Sequence, residues 1–248
     1  GALRSARVTD LIWKNVGAGM LGDSIRFDLR YDRDEGAPAS VVGKFPARDA
    51  VSRATGIDYG LYQTEVRFYQ EIAATVAVRA PKCYYADVDP ATGDFAVILE
   101  DLGPARQGNQ LTGCSIADAE QAMIQGAALH GPRWGEAGLR DIPWIASRAG
   151  TGQGVLDGMP DFIAEFHRRY DGILEPEFMA VADRYAANAL AFLGRDYAPL
   201  TLGHVDFRLD NMLFDARGGT VPLAVLDWQS VSVTAGMLDI SYFLGAGI

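Results

Sequence analysis

Cysteine is scarce in this 248-residue chain. Cys83 and Cys114 are the two cysteines, and they do not form a C-x-x-C pair. Their spacing therefore argues against a dithiol motif, and two cysteines without a recognisable secretory segment fit a reducing compartment. We expect a cytoplasmic protein.

Positive charge and long apolar runs are also limited. Lys and Arg total 22 against 32 Asp and Glu, so the net charge is −10. The phosphates of a nucleic acid would be repelled by such a surface, whereas a cationic small molecule would be favoured. No apolar run approaches the roughly 20 residues that span a bilayer, so a membrane partner is not expected. With 49% hydrophobic residues, the chain can bury a substantial core in one domain or two joined lobes.

One spacing pattern carries most of the functional information. His204, Asp206 and Asn211 fit H-x-D-x-x-x-x-N, and the apolar run 221–226 predicts a short strand that ends at Asp227. Phosphoryl transfer requires a carboxylate that holds the attacking hydroxyl and accepts its proton, and Asp206 is our candidate for this base. The amide oxygen of Asn211 and the carboxylate of Asp227 are the hard ligands that Mg²⁺ prefers.

Arg208 lies two residues beyond the candidate base. A fixed cation there could offset charge on the transferred group, so we include Arg208 among the catalytic candidates. A single Asp is usually a solvated surface residue, and a short His-Asp segment can be an ordinary turn. The complete set, followed by a strand and a further Asp, favours the functional interpretation.

A glycine-rich segment lies in the amino-terminal part. Residues 17–22 fit G-x-G-x-x-G, which occurs both in dinucleotide-binding turns and in kinase phosphate-covering loops. The alternation of apolar and polar residues over 25–32 predicts a strand after it, not the helix of a dinucleotide-binding turn. We expect Gly19 and Gly22 to bring backbone N–H groups close to phosphates, with a hydroxyl contact from Ser24. A flexible hairpin without function is the alternative.

A lysine lies inside the next predicted strand, Val41–Phe45. Burying an unpaired ammonium costs several kcal/mol at least, so Lys44 needs an anion. Glu65 lies in an apolar stripe of the helix predicted from about Tyr59 to Ala74, and we predict a Lys44–Glu65 ion pair that orients the lysine toward nucleotide phosphates. Either side chain could instead reach solvent.

The apolar strand 95–99 leads into Glu100, Asp101 and Leu102 before Gly and Pro end it. If this is an extended linker between two lobes, the backbone of Glu100 and Leu102 would lie beside an adenine. An ordinary exit from strand to loop is the alternative.

These features together resemble the aminoglycoside phosphotransferase-like family, a small-molecule branch of the protein-kinase-like fold that includes choline kinases and ecdysteroid-kinase-like proteins. The resemblance runs from about Val16 to Phe243. It is carried by the glycine loop, Lys44, the segments 65–69, 99–102, 129–130 and 204–211, and Leu226-Asp227-Trp228-Gln229.

The resemblance implies an α+β, bilobal protein-kinase-like fold. A small antiparallel β-rich lobe, residues 1–101, would bind ATP against a larger helical lobe, residues 102–248. It also implies that Asp206 is the base, that Asn211 and Asp227 bind Mg²⁺, that Lys44 contacts phosphate and that Asp239 braces the catalytic loop.

Two departures from the family are visible. Val205 occupies the middle of the catalytic His-x-Asp, where glycine is common in the family. The chain also stops at Ile248, just inside a predicted helix, and starts without Met, so we expect a helical lobe that is truncated at its carboxyl end. Only eleven residues separate Asp227 from Asp239, which leaves no room for the long activation segment of a protein kinase.

The sequence therefore predicts an ATP- and Mg²⁺-dependent kinase that phosphorylates a hydroxyl group of a small molecule. One alternative is a pseudokinase or scaffold that binds nucleotide without transfer. The other is a metal-dependent hydrolase that uses His204, Asp206 and Asp227. The acceptor and the oligomeric state are not predicted.

Overall fold

The computed structural model describes residues 6–18, 21–146, 151–193 and 198–247. The chain divides into two compact units, one formed by residues 1–139 together with 199–248 and the other by 140–198. Every candidate site residue belongs to the first unit. The two lobes expected from the sequence, with a boundary near residue 101, stay a prediction.

An antiparallel sheet dominates the amino-terminal part of the first unit. In the described residues its strands follow the order β1-β2-β3-β5-β4. Their bounds are β1 Val8–Ala18, β2 Gly22–Tyr31, β3 Ser40–Pro46, β4 Cys83–Val88 and β5 Phe95–Glu100. The strands predicted around residues 25–31, 41–45 and 95–99 are thus confirmed. Since Lys44 lies opposite Ser24 on one side and Val97 on the other, it sits in the middle of the sheet.

Two helices follow β3, of which the second packs against the sheet and the first packs against the second. They are α1, Ala50–Asp58, and α2, Leu61–Arg67, and α2 continues as a π-helix over Phe68–Ile72. Tyr62 and Val66 of α2 form a core with Phe95, Val97 and Leu99. Burying each such side chain contributes roughly 1.5–3 kcal/mol. The helix predicted from Tyr59 to Ala74 is present, although its second half is wound differently.

The rest of the first unit combines two helices with short strands. The helices are α3, Ile116–His130, and α7, Gly236–Gly247, and the strands are β6 Arg106–Gln107, β7 Thr201–Gly203, β8 Met212–Ala216, β9 Val221–Val225 and β10 Ser232–Thr234. β6, β8 and β9 form one sheet, and β7 pairs with β10. The strand predicted before Asp227 is therefore β9.

The start of α3 follows the sequence signal, whereas its buried face does not. The Ser115 hydroxyl accepts a hydrogen bond from the Asp118 N–H at 3.1 Å, as a capping residue should. The spacing of Ile116, Ala119, Met123 and Ala127 predicts one buried face, but Ile116 is 82% exposed and Ala127 is exposed too. The prediction is therefore wrong, because the buried residues lie on a different side of the helix. They are Ala122, Gly126, Leu129 and His130.

The second unit consists of helices. They are α4, Pro143–Ala146, α5, Thr151–Tyr170, and α6, Pro176–Leu193. α5 and α6 pack against each other, and His167 and Asp183 form a 2.7 Å contact between them. None of the helices in the described ranges is long and apolar enough to cross a membrane.

Candidate active site

A buried lysine joins the sheet to the carboxyl-terminal part of the first unit. The Lys44 Nζ lies 2.6 Å from Glu65 Oε1 and 2.9 Å from Asp227 Oδ1. The lysine lies in β3 and the glutamate in α2. The aspartate lies two residues after the end of β9. The ion pair predicted between Lys44 and Glu65 is therefore present, and Asp227 joins it. We call these three side chains the lysine cluster.

Burial and charge act in opposite directions within the lysine cluster. Burial alone would lower the pKa of Lys44, but the two carboxylates raise it above its ordinary value, so the ammonium stays charged. Burial tends to raise the pKa of Asp227, and the nearby ammonium outweighs this and lowers it. Burial raises the pKa of Glu65, against the opposing effect of Lys44.

The segment from His204 to Asn211 is held by a second buried carboxylate. Asp239 of α7 accepts hydrogen bonds from the backbone N–H of His204 at 2.7 Å and of Val205 at 2.8 Å. His130 Nε2 contacts the same carboxylate at 2.9 Å. Asp239 thus braces the loop, as the resemblance implies, and we call this set the Asp239 network.

The departure at Val205 has a visible conformational consequence. Its φ is 68°, in the left-handed region that glycine adopts freely and a β-branched residue does not. The hydrogen bond from the Val205 N–H to Asp239 holds this backbone in place. The loop therefore keeps a geometry suited to glycine in spite of the valine, at a cost of order 1–3 kcal/mol.

Asp206, Arg208 and Asn211 converge at the end of this loop. Asn211 Nδ2 donates to the Asp206 backbone oxygen at 2.9 Å and to its Oδ2 at 2.8 Å. Arg208 Nε lies 3.0 Å from Asp206 Oδ1, close enough for charge attraction but without hydrogen-bond alignment. The Asp206 carboxylate is therefore oriented by an amide and a guanidinium and is only partly buried.

The β8–β9 hairpin brings this loop next to the lysine cluster. Met212 pairs with Val225, and the Leu226 N–H donates to the Asn211 carbonyl at 2.8 Å. His204 Nε2 contacts the Leu226 carbonyl at 2.8 Å. Since Leu226 precedes Asp227, both predicted metal ligands emerge from one pair of strands.

Aromatic stacking fixes the residue after Asp227. The Trp228 ring stacks on Phe68 of the π-helix, with ring centroids 4.0 Å apart and planes 4° apart. Its indole N–H donates to the Val225 carbonyl at 3.2 Å, and His204 lies edge-on at 4.7 Å. Asp227 itself has a φ of 65°, in the left-handed region of backbone conformation. The backbone therefore turns at this residue and does not continue the extended strand β9.

Gly17 lies near the end of β1 and Gly22 begins β2, and the two strands pair antiparallel, as predicted. Gly19 lies outside the described residues. A Cβ on Gly22 would lie 2.9 Å from the Phe45 carbonyl oxygen, so this glycine also serves the packing of β2 on β3. Ser24 lies directly opposite Lys44 in the sheet, which places both residues on the same face.

Arginine side chains contact the segment 100–102, which the sequence predicts to lie beside an adenine. Glu100 accepts from Arg79 Nη2 at 2.8 Å and from Arg217 Nη1 at 3.2 Å, so its carboxylate is already engaged. The Arg217 N–H donates to the Leu102 carbonyl at 2.8 Å, whereas the Leu102 N–H has no acceptor among the residues that the structure describes. What this segment can offer an adenine is therefore a backbone N–H at Leu102.

Within the described ranges, no three His, Cys, Asp or Glu side chains come together as metal ligands. The predicted Mg²⁺ ligands are instead one amide and one carboxylate. Because Asn211 donates both of its bonds through Nδ2, its Oδ1 is left as an oxygen ligand. The Asp227 carboxylate shares its charge with Lys44 and accepts a 3.3 Å bond from Gln229 on Oδ2. This donor set suits a hard cation that takes its remaining ligands from phosphate and water.

Sequence reasoning missed two side chains that contact the candidate catalytic residues. Gln110 accepts a hydrogen bond from Arg208 Nη1 at 3.2 Å, and Asp206 and burial together raise the pKa of Tyr242 on α7. Gln110 is distant in sequence from the loop, and no spacing signal could have found it. Tyr242 lies three residues after Asp239, nearly one helical turn, so it shares a side of α7 with a residue that the resemblance did single out.

Comparison with solved structures relates this arrangement to phosphotransferases. The GDP complex of aminoglycoside 2′-phosphotransferase-IIIa superposes with a TM-score of 0.55 at 14% identity, over 97% of this chain and 73% of that one. The streptomycin–ATP ternary complex of APH(2″)-IIa gives 0.52 at 17%, over 94% and 69%. A choline/ethanolamine kinase family protein from Mesorhizobium loti gives 0.50 at 16%, over 97% and 65%. A search of curated proteins gave no match.

At such identities the structural likeness supports the fold alone, and the predicted α+β, protein-kinase-like fold is confirmed. The family is established separately, because the model of the Phosphotransferase enzyme family (APH) matches residues 31–246. This range contains Lys44, Glu65, the loop from His204 to Asn211 and Asp227. The chain belongs to the Phosphotransferase enzyme family.

Proposed function

We propose that this protein transfers the γ-phosphoryl group of ATP to a hydroxyl group of a small molecule, with Mg²⁺ as cofactor. One observation carries the proposal. A contact path joins Lys44 to Asp227 at 2.9 Å, Leu226 to Asn211 at 2.8 Å and Asn211 to Asp206 at 2.8 Å. These contacts support the roles proposed for the four side chains: a phosphate-binding cation, two oxygen ligands for a metal and a carboxylate base.

Each side chain then has a role that its surroundings permit. Lys44, held charged by Glu65, binds phosphate oxygens of the nucleotide. Bound Mg²⁺, held by Asn211 and Asp227, would neutralise charge on the phosphates. Asp206 accepts the proton of the acceptor hydroxyl, and Asn211 keeps the carboxylate turned toward it. Arg208, beside Asp206, offsets negative charge on the transferred group.

The nucleotide end is assigned to the sheet and the segment after β5. Gly19, Gly22 and Ser24 cover the phosphates, and the backbone at Glu100 and Leu102 contacts the adenine. The Leu102 N–H is the donor that supports this assignment. The similar structures were obtained with GDP, ADP and ATP, which supports a nucleotide in this position and leaves ATP over GTP as part of the proposal.

The acceptor is proposed to be a hydroxylated, cationic small molecule. The net charge of −10 favours a cation over an anion. Streptomycin, gentamicin and kanamycin are bound in similar structures, and each is hydroxylated and carries amino or guanidino groups. The protein is proposed to act in the cytoplasm, where ATP is available and its two cysteines stay reduced.

The decisive experiment measures ADP release with ATP·Mg²⁺ against a panel of amino alcohols, sugars, simple alcohols and aminoglycosides. We expect a subset of the panel to stimulate ADP release. Asp206→Asn should lower kcat at least about 100-fold, since general bases contribute 10²–10⁴-fold, while ATP binding is retained. Asp215→Asn makes the same chemical change at an exposed site and should leave kcat unchanged.

Three outcomes would contradict the proposal. Unchanged turnover in Asp206→Asn would show that Asp206 is not the catalytic base. A thermal shift with Mg²⁺ alone that ATP does not increase would instead favour a metal-dependent hydrolase, and ATP binding without transfer to any acceptor would favour a pseudokinase. ATP and GTP are compared in the same assay.

A further inference from the structure

The first strand of the sheet presents apolar side chains at an open edge. β1 stands at the end of the strand order, with β2 on one side and no strand on the other within the described part of the chain. Leu11, Ile12 and Trp13 are 46%, 59% and 58% exposed. A long edge strand that exposes apolar side chains is a template on which another strand can pair.

The central part of this edge has neither a bulge nor a proline. Proteins shield edge strands with bulges, prolines, very short strands or charged side chains, so another strand that pairs here must accommodate the charges of Asp10 and Lys14. In β1 the register with β2 is interrupted between Val8 and Asp10 and again between Asn15 and Gly17, but it is continuous from Asp10 to Asn15. Alternate residues of that stretch direct their N–H and C=O groups outward, so the edge can accept a second strand.

The two faces of this edge differ in character. Leu11 and Trp13 lie opposite Leu29 and Phe27 of β2, on an apolar face. Asp10, Ile12 and Lys14 lie on the other face. The Asp10 carboxylate accepts only the adjacent Leu11 N–H, and Lys14 forms no ion pair with any described residue. Among the described residues, neither of these two opposite charges, four residues apart, has an ion-pair partner.

Symmetry limits how β1 can pair with a second copy of itself. Opposed residues in an antiparallel pair share a face, so a twofold axis through the pair must pass through a residue that meets its own copy. If that residue is Ile12, Asp10 lies opposite Lys14 of the second copy, twice, and Leu11 lies opposite Trp13, twice. If it is Leu11 or Trp13, a charged residue lies opposite Ile12 instead.

We propose that the protein forms a homodimer by antiparallel pairing of β1 with β1 of a second copy, centred on Ile12. The two sheets then become one continuous sheet, with two Asp10–Lys14 ion pairs on one face and two Leu11–Trp13 contacts on the other. Charge complementarity selects the second copy as the occupant of this edge, and it also selects the register.

The charge pattern provides a sharp test by sedimentation velocity over a range of protein concentrations. Wild type should shift to the mass of a dimer as its concentration rises. Asp10→Lys and Lys14→Asp each place like charges opposite each other twice, and each should weaken self-association at least tenfold. The double variant restores both pairs and should dimerise like wild type. A mixture of the two single variants should form a heterodimer for the same reason.

Controls separate register from general effects of charge and folding. Asp58→Lys makes the same change in net charge at an exposed position of α1 and should dimerise like wild type. Ile12→Cys should form an intermolecular disulfide on mild oxidation, whereas Leu11→Cys, which faces Trp13, should form far less.

A wild-type chain that stays monomeric at every concentration would overturn the proposal, because the edge would then serve a different strand or none. Single charge variants that dimerise like wild type would overturn it as well. Circular dichroism of each variant checks that the fold is retained.

Discussion

The lysine cluster and the Asp239 network hold neighbouring parts of one site, and they do so by different means. In the lysine cluster, one ammonium is shared by Glu65 and Asp227. In the Asp239 network, one carboxylate is shared by two backbone N–H groups and His130. Glu65 and Asp239 are the buried carboxylates of the two arrangements, and both have their contacts satisfied, as buried polar groups must.

The difference lies in what each arrangement can exchange. Asp227 is held by a flexible lysine side chain, and a metal or a phosphate could take over one of these contacts. Asp239 is held mainly by main-chain donors, the N–H groups of His204 and Val205. We infer that the lysine cluster is arranged to change partners during the reaction, whereas the Asp239 network is permanent scaffold.

The largest expected effect is on the permanent scaffold. Asp239→Ala leaves the N–H groups of His204 and Val205 without their acceptor and removes the contact to His130, so the free energy of unfolding should fall by about 3–5 kcal/mol. Urea denaturation measures this. Asp215→Ala, at an exposed carboxylate, should change stability by less than about 1 kcal/mol. Equal losses in both variants would mean that Asp239 is not the anchor of the loop.

The lysine cluster should respond differently to removal of one charge and of two. Lys44→Met leaves the buried Glu65 carboxylate without its cation, next to the part-buried Asp227, and should cost about 3 kcal/mol of unfolding free energy. Lys44→Met combined with Glu65→Leu removes the uncompensated charge next to the core, so much of that loss should be recovered. Phosphoryl transfer should stay abolished in both.

Stability and activity therefore separate in this pair of variants. Denaturation and ADP release, measured on the same samples, test the separation. A double variant no more stable than Lys44→Met would indicate that Glu65 is not coupled to the lysine.

The pH dependence distinguishes the two carboxylates of the lysine cluster. Because Lys44 lowers the pKa of Asp227 below its ordinary 3.8, the Asp227 contribution is present above that pH and is lost as pH falls through the lowered value. The stability difference between wild type and Asp227→Asn should thus shrink on acidification below pH 3.8.

Glu65 supplies a control of opposite sign. Burial raises its pKa above the ordinary 4.5, so its contribution is complete below that pH and is lost as pH rises through the raised value. Glu65→Gln should therefore gain relative to wild type as pH rises from 4.5. Parallel pH profiles for the two variants would contradict the opposite pKa directions.

Much of this fold could be predicted from the sequence, because the signals are local. Alternating apolar residues predict β2, the run Val41–Phe45 predicts β3, and Ser115 with Asp118 predicts the start of α3. The pairing of Lys44 with Glu65 could also be predicted, since each residue needs a counter-charge in an apolar setting. Asp206 and Asn211 follow from one spacing in a single loop.

Other features depend on contacts that no local pattern encodes. The buried face of α3 is set by what packs on it from β7, β9 and α7. Asp227 joins Lys44 across 183 residues, and Gln110 reaches Arg208 across 98. The φ of Val205 depends on the Asp239 carboxylate, which α7 supplies. Such contacts arise only once separate elements have packed together.

The smallest expected effect is that of alanine substitutions at Gly17 in β1 and Gly22 in β2. These variants test whether each glycine is needed for packing or for nucleotide binding. A Cβ on Gly22 would press on the Phe45 carbonyl at 2.9 Å, whereas one on Gly17 meets only the Ser24 Cβ at 3.8 Å. Gly22→Ala should therefore cost about 1 kcal/mol of stability, and Gly17→Ala should stay within about 0.5 kcal/mol of wild type. Thermal denaturation gives both values, and KM for ATP is measured in parallel. A raised KM in Gly22→Ala alone fits a role in covering the phosphates, whereas lower stability with an unchanged KM would assign Gly22 to the packing of β2 against β3.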